Sequence, residues 1–253
     1  MDLGLEGRAY IVTSATRGLG FAAARELTAE GAQVLVTGRT QESVDKAVAG
    51  LGGREEAVGL VADNGAPDTS ERVVAAAMDH FGRLDGVLSN TGGPPAGLVT
   101  DVLDEQWRTS FESVFLGAVR LARAAAEVIG DDGALGFVLS GTVRQPVAGL
   151  ALSNGLRPGL AMTAKALADE LGPRGVRVFG LLPSQIDTER VKELDTLTGN
   201  IELARTRNES VIPLRRYGRP EEFGKVATFL LSPAASYLTG LMVPVDGGAL
   251  RQL

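Results

Sequence analysis

Residues 9–39 read "AYIVTSATRGLGFAAARELTAEGAQVLVTGR", and this stretch decides the fold. An apolar run over 9–14 passes through a turn into an amphipathic helix over 18–30, and a second apolar run follows at 33–38. A strand, helix and strand in this order form a right-handed crossover, which makes the two strands parallel. Gly18 and Gly20 open the helix directly after the strand. Backbone N–H groups and the positive helix end can then face a pyrophosphate. Ser14, Thr16, Arg17 and Leu19 fill the same turn and join Gly18 and Gly20 as candidate coenzyme contacts.

The second strand ends "VTGRTQES", placing Thr37, Gly38 and Arg39 where sites for an unphosphorylated ribose carry a carboxylate. Arg39 and Arg17 instead offer two guanidiniums, which suit a 2′-phosphate. The coenzyme expected is therefore NADP(H).

The same alternation continues along the chain. Further strands are expected at 57–63, 85–90, 134–141, 176–183 and 241–248, with helices at 41–50, 68–81, 104–129, about 156–171 and 220–231. Short apolar runs between amphipathic helices imply a parallel sheet covered on both faces. The expected fold class is α/β: a Rossmann-like, doubly wound sheet of about seven strands in a single domain over 1–253. The long stretch 184–219, with one short helix in "IELARTRNES", is a candidate substrate lid.

Composition narrows the function classes. The 253 residues are 44% hydrophobic with a net charge of -6, which gives no basic footprint for nucleic acid. There is no cysteine and one histidine, His80, so disulfides, thiolate metal sites and a zinc centre are not expected. No apolar run approaches the ~20 residues of a membrane span, and the N-terminus lacks a secretory pattern. A cytoplasmic location is the expectation.

Several segments together resemble the short-chain dehydrogenase/reductase family along nearly the whole chain. "TSATRGLG" resembles its glycine-rich opening, with Ser14 where a glycine is usual. "VADN" places Asp63, followed by Asn64, where that family meets the adenine ring. "DGVLSNTGGP" is similar to its Asn-Ala-Gly segment and carries Asn90 and Gly92. "VFGLLPSQIDT" is similar to its Pro-Gly stretch, with Pro183, Ile186 and Thr188 where the nicotinamide carboxamide is held. The resemblance is nearest to 3-oxoacyl-carrier-protein reductase-like members. It implies a carbonyl or alcohol substrate and a homo-tetramer or homo-dimer. The small-residue face of 116–128 is available either to a partner helix or to the sheet.

In that family a serine ends the fifth strand, a tyrosine follows thirteen residues later, and a lysine four after that. Here Ser140 matches the serine, while the other two positions fall on Ser153 and Arg157. The supporting asparagine position falls on Val114, and Lys165 matches a later, non-catalytic lysine. The three tyrosines are Tyr10, Tyr217 and Tyr237. A serine is a far weaker acid than a phenol, and arginine keeps its proton. Ser140, Ser153 and Arg157 are nonetheless the catalytic candidates. Arg157 is expected to hold the nicotinamide ribose, and Arg144 with Gln145 to meet a polar substrate. Pro158 suggests that its helix starts late or bends, with Ser153 near the N-cap. Two readings follow: an NADP-dependent oxidoreductase with rebuilt proton transfer, or a coenzyme-binding sensor or assembly subunit without appreciable turnover.

Overall fold

Strand β1 (Ala9–Val12) is buried along its whole length, so it lies mid-sheet with both faces covered. The computed structural model describes residues 2–53 and 55–252. Alternate side chains of β1 enter different cores: Ile11 packs on one face of the sheet, Tyr10 and Val12 on the other. Each such fully buried aliphatic side chain contributes about 1.5–3 kcal/mol from burial.

Around β1 the described residues form one parallel sheet with β2 (Gln33–Gly38), β3 (Ala57–Val61), β4 (Gly86–Ser89), β5 (Ala134–Val138), β6 (Arg177–Pro183) and β7 (Leu241–Val245). The order is β3-β2-β1-β4-β5-β6-β7. The chain winds outward from β1 to β3 and then restarts at β4 on β1's other side. Diverging crossovers leave a crevice at the carboxyl ends of β1 and β4, where ligands of such sheets bind.

Helices α1 (Gly18–Ala29), α2 (Gln41–Gly50) and α3 (Thr69–Phe81) follow the first three strands. After β4 come α4 (Asp104–Ser110) and α5 (Gly117–Val128), joined by a π-helical turn over Phe111–Leu116. Val114 is buried within that turn. The small-residue face of α5, with Gly117, Ala118, Ala122 and Ala125, is buried within the chain and covers the sheet beside α3.

Helix α6 (Ala151–Leu171) starts about five residues earlier than expected. Leu150 is its N-cap, and Ser153 lies inside the first turn, so the expected capping role for Ser153 is corrected. The helix carries Pro158 internally. Its first turns are seated by neighbours: Trp107 lies against Gly155, and Phe115, stacked on Phe111, lies against Gly159. This packing outweighs the local signal of the proline.

The 184–219 stretch holds two helices, α7 (Glu189–Leu197) and α8 (Ile201–Val211). They share a small core of Val191, Ile212 and Tyr217. Helix α9 (Pro220–Leu231) then packs along α1 before β7 closes the sheet. No helix of the described residues is long and apolar enough to cross a membrane.

Gly20 sets how closely α1 approaches the crevice. A Cβ there would sit 2.8 Å from Asn90 Nδ2, 2.9 Å from the Ser14 carbonyl and 3.0 Å from Ala15 Cα. Gly20→Val is therefore expected to cost about 1–3 kcal/mol through overpacking, more than any gain in helix propensity. Urea denaturation checks this; unchanged stability would show that α1 tolerates retreat from the sheet.

Candidate active site

The carboxyl ends of β1 and β4 are tied by a compact set of polar bonds. Thr13 Oγ1 donates to the Asn90 carbonyl at 2.6 Å, and the Asn90 N–H returns a bond to Thr13 Oγ1 at 2.9 Å. Asn90 Nδ2 donates to the Ser14 carbonyl at 3.0 Å, and Asn64 Nδ2 donates to the Asn90 carbonyl at 2.9 Å. From β2, Thr37 Oγ1 accepts from the Ser14 N–H at 2.9 Å. Thus Ser14, Asn64 and Asn90 come together.

Ser14 holds φ at +46°, a left-handed conformation that favours glycine. Gly18 also has positive φ, +59°, and opens α1; a Cβ there would stand 3.8 Å from Thr188 Cγ2. Thr16 and Leu19 are half-buried in the same turn. Arg17 turns to the start of α7: its Nη1 contacts Glu189 Oε2 at 2.5 Å, with both side chains exposed.

Farther along the crevice, Arg39 lines an open cavity with Val61, Ala62, Asp63, Ala66, Thr69 and Arg72. Asp63 Oδ1 accepts from the Gly65 N–H at 3.0 Å. Arg72, which sequence reasoning missed, reaches back to the Val61 carbonyl at 3.3 Å and to Asp68 Oδ2 at 3.4 Å. On α3 it reads as ordinary helix surface, and only folding brings it beside Arg39.

At the other end stand Ser140, Thr142, Ser153 and Arg157. The Thr142 N–H donates to Ser140 Oγ at 3.2 Å, so the Ser140 O–H is left to donate elsewhere. Thr142 Oγ1 lies 3.1 Å from the buried Ser153 Oγ. Thr142 is the second residue that sequence reasoning missed. Arg157 is only 6% exposed, and its Nη1 donates to the carbonyls of Val138 at 2.6 Å and Leu139 at 3.0 Å. It forms no ion pair among the described residues. Burial, with Arg190 adding repulsion, lowers its pKa to about 10, so it remains a cation at neutral pH.

Pro183 ends β6, and Ile186 is buried where the chain bridges to Gly218. Thr188 caps α7, its hydroxyl accepting from the Val191 N–H at 3.4 Å. Gly92 is exposed, with open space around it. Arg144 and Gln145 are exposed beyond the short turn that Ser140 caps.

The tyrosines are engaged elsewhere. Tyr10 is buried in the core, and burial pushes its phenol up out of the usual range. The Tyr217 hydroxyl donates to Asp195 Oδ2 at 3.0 Å and accepts from Asn208 Nδ2 at 2.8 Å; burial, then Asp195, keeps its pKa raised. Tyr237 is fully exposed.

Comparison with known proteins places this geometry in a class. A family model described as Enoyl-(Acyl carrier protein) reductase matches residues 14–249. The human protein "Dehydrogenase/reductase SDR family member 4" is 32% identical over 256 residues, covering 98% of this chain and 90% of that protein. The L-rhamnose 1-dehydrogenase (NAD(P)(+)) of Azotobacter vinelandii is 34% identical over 257 residues, covering 97% and 98%. The L-sorbose reductase of Gluconobacter frateurii, solved with NADPH and L-sorbose, superposes with a TM-score of 0.92 at 28% identity, covering 100% of both chains. The chain belongs to the short-chain dehydrogenase/reductase family, oxidoreductases of alcohols and carbonyls that use nicotinamide coenzymes.

Arg157 braces the end of β5 from below, whatever else it does. Arg157→Ala is expected to cost about 2–4 kcal/mol, because two carbonyls lose charged donors and a cavity remains. Arg157→Lys is expected to cost less, since an ammonium can keep one of those bonds. Denaturant unfolding of both variants checks the ranking; an alanine variant as stable as the parent would contradict it.

Proposed function

We propose that this chain is an NADP(H)-dependent oxidoreductase of a carbonyl or alcohol, of the 3-oxoacyl reductase-like kind. The observation that carries the coenzyme choice is the cavity at the ends of β2 and β3, flanked by Arg39 and Arg72. Two guanidiniums there can grip a 2′-phosphate by paired charged hydrogen bonds. The rest of the crevice also fits a dinucleotide. Ser14 and Gly18 hold the turn open, and Gly20 leaves no side chain between α1 and the loop that a pyrophosphate approaches. Thr16, Arg17 and Leu19 flank that turn, Asp63 and Asn64 face the adenosine half, and Asn90, Gly92, Pro183, Ile186 and Thr188 line the nicotinamide half.

When bound, the reduced coenzyme supplies the hydride to the carbonyl carbon. Ser140 donates its free hydroxyl proton in a hydrogen bond to the carbonyl oxygen, its own oxygen being held by the Thr142 N–H. Arg157 holds a fixed positive charge just below, at the carbonyls of Val138 and Leu139, where negative charge grows on that oxygen. One side of its fork serves those carbonyls, and the other is assigned to the nicotinamide ribose. The Ser153–Thr142 hydroxyl pair passes a proton from water, standing in for the absent phenol. A hydroxyl relay is slower than a tuned phenol, so modest turnover is the corollary.

The relatives are named dehydrogenases and reductases, which favours this reading over a silent sensor. The reading extends to a cytoplasmic homo-dimer or homo-tetramer, symmetric assembly being the common state of soluble oligomers.

Steady-state oxidation of NADPH with 3-oxoacyl thioesters and a panel of ketones tests the proposal. Ser140→Ala is expected to lower kcat by about 10²–10³ while NADPH binding stays within about twofold. Arg39→Ala is expected to lose about tenfold or more in NADPH affinity with little change for NADH. NADPH binding without turnover on any substrate would return the sensor reading; equal loss for both coenzymes would remove Arg39 from the 2′-phosphate site.

A further inference from the structure

Strands β4 and β5 are sheet neighbours, with Ser89 opposite Phe137, so the loops leaving them run side by side over the crevice. Below the β5 end lies the Arg157 guanidinium, nine-tenths buried and without a carboxylate partner among the described residues. Above the β4 end lies Arg190, on the first turn of α7 in the lid. Its Nη2 donates to the Pro94 carbonyl at 2.6 Å, and a Cβ on Gly93 would sit 2.6 Å from its Nε. Arg190 therefore lays a second guanidinium over the loop that leaves β4, the strand next to β5.

Most of the surrounding acids are committed elsewhere. Glu189 pairs with Arg17, and Asp187 lies near Lys192 and Arg205 at 3.5 Å each. Glu193 pairs with Arg190 itself, accepting from its Nη1 at 3.4 Å, but it is over half exposed, so water screens the pair. Another buried arginine shows how unusual Arg157 is. Arg177 donates to the Leu230, Leu231 and Ser232 carbonyls at the C-terminal end of α9, where the helix dipole supplies negative potential. Arg157 has only the ends of a strand, which have little net dipole. Arg190 also adds to the cost of the buried Arg157 charge. A buried cation without an acid is costly, and an anion entering from the crevice offsets that cost.

We propose that the substrate of this site is an anion, a carbonyl compound carrying a carboxylate, which Arg190 grips from the lid above the fixed charge of Arg157. The proposal rests on the oxidoreductase reading and deepens it. Arg190 forms the charged hydrogen bonds to the carboxylate, and Ser140 takes the carbonyl oxygen. Sequence alone gives no hint of this, because Arg190 falls in the stretch 184–219, which reads as irregular around one short helix at "IELARTRNES".

The test uses acetoacetate and its neutral counterpart acetoacetamide, titrated into the full chain with and without NADP⁺, the oxidised coenzyme preventing turnover. The chain's single tryptophan, Trp107, packs against Gly155 between Ser153 and Arg157, so its fluorescence reports occupancy; calorimetry gives a second readout. Acetoacetate is expected to bind about tenfold or more tighter than the amide. Arg190→Leu is expected to abolish that preference and Arg190→Lys to keep part of it. Equal binding of the two probes, or a preference that survives Arg190→Leu, would overturn the anion proposal. Failure of NADP⁺ itself to bind would overturn the coenzyme reading instead, and the probe comparison on the free chain would still decide the present one.

Discussion

The crevice depends on one small set of hydrogen bonds, the exchange between Thr13 and Asn90 across β1 and β4. These strands diverge where the winding of the sheet reverses, so their ends would present bare polar groups to a gap. Thr13 and Asn90 satisfy one another in both directions, Asn90 reaches on to the Ser14 carbonyl, and Asn64 adds a third strand's loop. Each buried polar group left unmade would cost about 1–3 kcal/mol, so the loops have strong reason to hold this arrangement. Gly20 then lets α1 come down on top of it. The coenzyme crevice is thus built by satisfying the backbone where two crossovers part company.

Most of the fold was legible in the sequence because parallel strands buried on both faces write themselves as short apolar runs. The seven runs and their intervening helices correspond to seven strands in a doubly wound order. Local signals failed where tertiary packing overrode them. Pro158 argues for a late helix start, yet α6 begins at Ala151 because Trp107 and Phe115 seat its glycine-lined side. The stretch 184–219 reads as irregular, yet it forms two helices whose polar surfaces hide a core of three buried side chains. Its apolar residues are too few for periodicity to announce it.

The site was legible by position and less so by geometry. Ser14 and Asn90 come together at the carboxyl ends of β1 and β4, and Ser140 follows the end of the neighbouring β5. Arg17 instead meets Glu189 at the start of α7, and Arg157 reaches the carbonyls of Val138 and Leu139. Thr142, Arg72 and Arg190 escaped notice because each meets its neighbour only in the folded chain: Ser153 on α6, the Arg39 cavity and the Pro94 carbonyl respectively. On the proposed reading, the reaction site lacks the usual phenol and holds the buried Arg157 cation instead. In that proposal the site trades proton transfer for electrostatics, holding developing negative charge well and moving protons through plain hydroxyls.

The most direct test is a crystal structure of the chain grown with NADP⁺. The account predicts the 2′-phosphate between Arg39 and Arg72, the pyrophosphate over the Gly18–Gly20 turn, and the nicotinamide beside Ser140. A crevice left without coenzyme at saturating concentration, with the Arg17–Glu189 and Arg190–Pro94 contacts still closed across it, would contradict the account.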